Sequence, residues 1–229
     1  DVDDIRVTVK AGGVWSAPLA VTGPVETAAD GAVQKGVLPS LGLAFTVRYV
    51  GEAERLGASV EVADTRGQGP RCLRLIYRLP LALANWTWSA DPRSSRSIEA
   101  GPTYEDSVGL AGHRLSRYPL ASVSSGQGGL AMAASLDEPA LQTFAAKDSG
   151  LATSVELALA PDAGQTRAGF GLYLYRHEPA WGFRAALGRY YELWPTLFAG
   201  KAGAGTIDSG IGSTGVGSVM KGGGHQHRA

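Results

Sequence analysis

Along most of the chain, hydrophobic and polar side chains alternate with a period of two, as in strands with one buried and one exposed face. Ile5-Arg-Val-Thr-Val9 opens the series. Leu43 to Tyr49 repeats it, with Leu43, Phe45, Val47 and Tyr49 on one face, and Ala58–Val62 gives a third run. The longest run, Arg71 to Leu79, sets Leu73, Leu75, Tyr77 and Leu79 on one face and places Arg74 and Arg78 either side of Ile76 on the other. Leu120–Val123, Gly129–Leu136, Gln142–Ala146, Val155–Leu159 and Phe170–Arg176 follow. Turn formers separate them: Gly-Gln-Gly-Pro before Arg71, Asp-Glu-Pro after Leu136, Asp-Ser-Gly after Lys147 and Pro-Asp-Ala-Gly after Ala160. About nine or ten strands at this spacing predict a mainly β chain built as a large antiparallel β-sandwich.

One segment has the helical period instead. From Glu178 to Trp194, Phe183, Leu187, Tyr190, Tyr191 and Trp194 recur at helical spacing, with Pro179 suited to a first turn and Pro195 to the end. The stripe predicts an amphipathic helix over 178–198 that docks its aromatic face on the sandwich. Leu83 to Tyr118 has little periodicity, and a loop that long in a compact domain is usually functional. Trp86 and Trp88, two residues apart, share one face of any strand they occupy.

Composition changes the picture at the end of the chain. Of the 32 glycines in 229 residues, 10 fall within 199–229. That stretch has no aromatic residue and too little apolar surface to offset the entropy of ordering its backbone. The domain plan is therefore a sandwich with its terminal helix over 1–198, followed by a glycine-rich flexible tail or linker over 199–229. His225 and His227 in the tail resemble a remnant more than a metal site. The amino terminus, Asp1-Val-Asp-Asp4, lacks an initiator methionine and a leader pattern, as after removal of a signal peptide or excision from a longer chain. Arginine outnumbers lysine 16 to 5, the residue usage of a GC-rich bacterial genome. A secreted or cell-envelope location follows as an expectation.

Charge and cysteine content remove several classes. The 21 basic and 21 acidic side chains cancel, so nothing draws the whole chain to nucleic acid or to an anionic membrane. The single cysteine, Cys72, excludes an internal disulfide and a cysteine-rich zinc site, and its place inside a strand marks it as inert packing. No apolar run approaches the ~18 residues of a membrane span. No phosphate-binding loop, dinucleotide fingerprint or nucleophile elbow occurs, and no cofactor or metal is implied. Gly126-Gln-Gly-Gly129 leads into a strand, which makes it a hairpin turn.

Carboxylates gather in the aromatic loop region. Glycoside hydrolysis needs two carboxyl groups across a sugar, ~5–10 Å apart. Glu99, Glu105 and Asp106 are candidates for such a pair, and His113 could join a carboxylate as acid or base. Trp86, Trp88 and Tyr104 could offer flat faces to the apolar C–H surfaces of pyranose rings.

From Arg117 the order of motifs becomes familiar: Arg117-Tyr-Pro-Leu-Ala-Ser-Val123, then Gly128-Gly-Leu-Ala-Met-Ala-Ala-Ser-Leu-Asp-Glu-Pro139, then Val155-Glu-Leu-Ala-Leu159. It closes on Trp181-Gly-Phe-Arg-Ala-Ala-Leu-Gly-Arg-Tyr-Tyr-Glu-Leu-Trp-Pro-Thr-Leu-Phe198. Residues 40–198 thereby resemble the galactose-mutarotase-like β-supersandwich domain that precedes the catalytic (β/α)-barrel of bacterial glycoside hydrolases. In that family a Phe-Arg-x-Ala…Tyr-Tyr…Pro…Phe helix leads into the barrel, whereas here the glycine-rich tail follows. The barrel's acid and nucleophile therefore have no counterparts to carry over. The resemblance implies a carbohydrate-active protein, the sandwich domain of a glycoside-hydrolase-type enzyme acting on poly- or oligosaccharide, with a barrel domain as a partner missing from this chain. A non-catalytic carbohydrate-binding or structural module is the alternative, and mutarotase-like sugar epimerisation by His113 or His177 ranks below both.

Overall fold

The computed structural model describes residues 5–198, apart from 12–13, 53, 68, 111–112 and 139. The tail expected over 199–229 lies outside the described residues. Two compact units divide the chain, 1–190 and 191–229.

Strands occupy most of the first unit. They are β1 (Ile5–Ala11), β2 (Val14–Trp15), β3 (Leu19–Val21), β4 (Val25–Ala28), β5 (Gly31–Leu38), β6 (Leu43–Glu52), β7 (Arg55–Asp64), β8 (Arg71–Pro80) and β9 (Thr87–Ser89). Then come β10 (Arg96–Ser97), β11 (Tyr104–Glu105), β12 (Ser107–Leu110), β13 (His113–Ser116), β14 (Leu120–Ser125), β15 (Gly128–Ala134), β16 (Gln142–Lys147), β17 (Gly150–Leu159) and β18 (Arg167–His177). One sheet has seven strands in the order β11-β16-β17-β8-β1-β2, with β3 also pairing β1. The other has nine, ordered β10-β9-β14-β15-β18-β7-β6-β5-β4, and β12-β13 form a separate hairpin. All the strand pairs formed among the described residues are antiparallel.

Register explains why alternation succeeds as a guide. Val7, Leu75 and Val155 stand in one cross-strand row of the first sheet, and Val47, Val60 and Phe170 in one row of the second. All six are at most 1% exposed and belong to one hydrophobic cluster between the sheets. Each such side chain withdrawn from water contributes roughly 1.5–3 kcal/mol, before the entropy of ordering it.

The sheets are also tied by charge. Arg71 on β8 donates to Asp64 on β7 at 2.7 Å and to the Leu41 carbonyl at 2.5 Å. Asp64 also accepts from the backbone N–H groups of Arg66 and Gly67 at 2.7 and 2.8 Å. Burial opposes ionisation, but the N–H groups and the guanidinium together hold this carboxyl below the ordinary carboxylate range.

The terminal segment is more divided than a single helix over 178–198. Pro179–Trp181 form a 3-10 turn, α1 runs over Gly182–Leu193, and Pro195 starts a short α2 (Pro195–Phe198) where the sequence suggested a stop. Gly182 joins turn to helix at φ +47, a left-handed value that disfavours side chains. Phe183, Ala186 and Tyr190 of α1 are buried. Tyr175 of β18 donates to the Ala186 carbonyl at 2.9 Å, and Tyr190 donates to the Ala134 carbonyl of β15 at 3.1 Å. Tyr191, counted in the sequence among the core stripe, is 44% exposed. Within the second unit its ring lies 4.6 Å from that of Phe198.

The stretch from Leu83 to Tyr118 is a second correction. Instead of a loop it holds β9 to β13, runs of only two to four residues. Asn85 is the one non-glycine residue among those described with a positive φ, +68, a conformation asparagine tolerates well. There the chain turns back: Trp86 N–H bonds the Leu83 carbonyl at 3.0 Å, Asn85 N–H donates to the Ile98 carbonyl at 2.9 Å, and Ile98 N–H donates to the Trp86 carbonyl at 2.8 Å. As expected, Gly126 and Gln127 form the hairpin turn between β14 and β15.

Candidate functional site

A polar loop, Asp91–Ser95, follows β9 and is shaped by Asp91. One carboxylate oxygen of Asp91 accepts from the backbone N–H groups of Arg93 at 2.6 Å and Ser94 at 2.9 Å, and the other from the Ser94 hydroxyl. The Ser94 hydroxyl is the main reason this carboxyl stays below its ordinary pKa; the two N–H groups and the charge of Arg117 add to it, against the opposing effect of burial. The Asp91 side chain thus supplies the hydrogen bonds that shape this turn.

Among the described residues, three depressions share this loop, and two of them are also lined by residues of β9. The larger, about 490 Å³, runs between the loop and the 3-10 turn that starts the terminal helix. Thr87, Ser89, Ser94, Ser95 and Ser124 line it together with Asp91, Arg93, Trp181 and Arg184. Trp181 is 66% exposed, the most accessible large hydrophobic side chain among the described residues. Its turn is capped by Glu178, whose carboxylate accepts from the Ala180 N–H at 3.2 Å. The turn is anchored next door, where Phe183 packs edge-on against Tyr118 with ring centroids 5.2 Å apart. Trp181 therefore stands on a capped turn next to a packed aromatic pair and is itself exposed.

The smaller depression, about 220 Å³, is lined by Trp88, Asp91, Arg96, Glu105, Asp106 and Arg117 among others. It unites two of the four acid–base candidates. Glu105 is ion-paired with Arg114 at 3.0 Å and accepts from the Ser107 hydroxyl at 2.5 Å, while Asp106 pairs with Arg117 at 3.1 Å. Glu99 is exposed and lines neither depression. Its backbone N–H donates to the Tyr104 hydroxyl at 3.0 Å.

The fourth candidate, His113, belongs to another group. Its Nδ1 lies 2.7 Å from Glu156, which also accepts from Arg74 at 2.5 Å, and the Arg74 guanidinium sits 4.2 Å over the Trp15 ring. Burial would raise the Glu156 carboxyl, but the bonds from Arg74 and His113 outweigh it and hold this group below its ordinary range. His177, the other histidine considered for acid–base work, lies across from Gly129, where a Cβ would meet its ring at 2.3 Å. Burial pushes its pKa down, partly offset by backbone hydrogen bonding to Glu178. Burial likewise pushes the Cys72 thiol up, with the nearby Glu156 charge adding to the effect.

The aromatic candidates divide by depth. Trp88 is 3% exposed and Tyr104 9%, both inside the core cluster, so their faces pack against protein. Trp86 is half-buried against the same cluster. Sequence reasoning missed Trp181, although a signal was available. The helical stripe of Phe183, Leu187 and Tyr190 does not include position 181, whose helical neighbours three, four and seven residues on are Arg184, Ala185 and Gly188.

A glycosidase's general acid needs a raised carboxyl pKa. The carboxyl groups of Asp64, Asp91 and Glu156 are all held below their ordinary range. No group of three His, Cys, Asp or Glu side chains among the described residues is placed to hold a metal ion. Among the described residues, no helix is long and apolar enough to cross a membrane.

No family model and no curated protein matches the chain. Among solved structures it is similar to the GH36 α-galactosidase AgaA of Geobacillus stearothermophilus, at 13% identity and a TM-score of 0.48, over 82% of this chain and 32% of that one. It is also similar to the Slr1438 protein of Synechocystis, at 9% identity and a TM-score of 0.38, over 74% of this chain and 72% of that one. A candidate aldose 1-epimerase of Escherichia coli gives 12% identity and a TM-score of 0.34, over 63% of this chain and 64% of that one. The chain spans about a third of the length of the α-galactosidase. At these identities each likeness concerns architecture alone.

Proposed function

We propose that this chain is the glycan-holding β-sandwich domain of a carbohydrate-active, glycoside-hydrolase-type protein, and that it binds a poly- or oligosaccharide in the groove between Asp91–Ser95 and Trp181. The observation that carries this reading is Trp181: a tryptophan 66% exposed at a groove lined by serine and threonine residues. A pyranose ring presents an apolar C–H face, which an indole covers, and an equatorial rim of hydroxyls, which the groove's polar groups can bond. With Glu105 and Asp106 each paired to an arginine, the adjoining cleft favours holding a sugar over cleaving one.

Affinity electrophoresis on a panel of soluble polysaccharides tests the proposal. Wild-type protein should be retarded on at least one of them, and Trp181→Ala should migrate as on a blank gel. Equal retardation of the two proteins on every polysaccharide would overturn it.

A further inference from the structure

The groove's charges are unevenly used, and this points to a class of glycan. Among the described residues, Asp91 is the only carboxylate on the walls of the larger depression, and both of its oxygens are taken by Arg93 N–H, Ser94 N–H and the Ser94 hydroxyl. Its charge is committed to shaping the loop. Arg93 and Arg184 line the same depression from opposite sides, one on the loop and the other on α1. Both are exposed, and among the described residues neither forms a salt bridge. Their neighbours behave differently: Arg114 and Arg117 are paired to Glu105 and Asp106.

Two uncommitted guanidinium groups beside an exposed indole suit an oxyanion carried on a sugar ring. A guanidinium presents parallel N–H donors that match a carboxylate in bidentate fashion, and charge-assisted bonds of this kind are roughly twice as strong as neutral ones. We propose that the groove takes an acidic glycan, with a uronate unit stacked on Trp181 and its carboxylate held by Arg93 and Arg184. This rests on the glycan-binding reading above and specifies the class of its ligand. A sulfate ester would offer the same anionic chemistry from a different source.

Titration calorimetry on the full chain separates the possibilities, with polygalacturonate, its methyl ester, a neutral galactan and a sulfated galactan as probes. Polygalacturonate should bind about tenfold or more tightly than its methyl ester, the size expected for losing one charged hydrogen-bonded contact. Raised salt should weaken that binding. The double variant Arg93→Gln/Arg184→Gln should lose the preference while keeping its thermal midpoint, and Arg93→Lys/Arg184→Lys should restore it only in part. If the methyl ester or neutral galactan binds as tightly as polygalacturonate, and Trp181→Ala abolishes that binding, the acidic class is wrong and the glycan groove stands. Tighter binding of sulfated galactan than of polygalacturonate would overturn the uronate assignment. Binding of none of the four would overturn the uronate assignment, while the groove itself stands or falls on the electrophoresis of wild type against Trp181→Ala.

Discussion

Arg71 and Asp64 meet at 2.7 Å with side chains 9% and 0% exposed, and they join strands of opposite sheets. Removing one partner would leave the other charged and buried, which costs far more than the pair itself contributes. The Asp64 carboxyl is held below its ordinary value of 3.8, so its contribution is complete above that pH and is lost as pH falls through the lower folded value. Asp64→Asn should therefore lower the thermal midpoint at neutral pH and flatten the acid limb of a midpoint-versus-pH curve. An unchanged acid limb would show that the pair does not couple folding to protonation.

Trp88 and Trp181 should respond oppositely to truncation. Trp88→Ala empties a core position and should cost about 3–5 kcal/mol in denaturant unfolding. Trp181→Ala removes an exposed ring and should change stability by no more than about 0.5 kcal/mol while abolishing glycan retention. Equal stability losses in the two variants would contradict this division.

The hydroxyls of Tyr175 and Tyr190 each bond a backbone carbonyl and tie α1 to the nine-stranded sheet. Tyr175→Phe and Tyr190→Phe should each cost about 1 kcal/mol. Amide exchange in 182–190 should quicken in both variants, because the helix then opens without unfolding the sheets. Exchange that quickens equally in β6 and β7 would instead mean that the helix and sheets unfold as one.

The wild-type chain should release no reducing sugar from polysaccharides that it binds. If release is seen and Glu105→Gln or Asp106→Asn abolishes it while Glu99→Gln does not, the smaller cleft is catalytic and the proposed holding role is too narrow.

The long strands were legible because each has one wet face. In β8 the pattern Leu73, Leu75, Tyr77 against Arg74 and Arg78 needs no tertiary knowledge. Strand β5 escaped because Gln34 is buried in it, bonded to the Gly23 carbonyl at 3.5 Å and accepting from Tyr49 at 3.4 Å, which breaks the alternation. The strands of Thr87 to Ser116 escaped because two to four residues are too few to display a period. The aromatic region did border the groove, through Thr87, Ser89 and the Asp91 loop. Its far wall, Trp181 and Arg184, comes from about ninety residues later, and only the strand order brings the two together. Likewise, Glu156 had no visible link to His113 until β13 and β17 were placed.

Both large sheets end in very short strands: β11 and β2 or β3 bound one, and β10 and β4 the other, none longer than four residues. A full-length open edge would offer a row of unpaired amides on which a second molecule could grow a strand. A chain with a net charge of zero has no overall repulsion to keep copies apart. Resistance to aggregation then falls to these clipped borders, and lengthening β4, where Val25 is already 56% exposed, would be the quickest way to turn the molecule into a self-associating one.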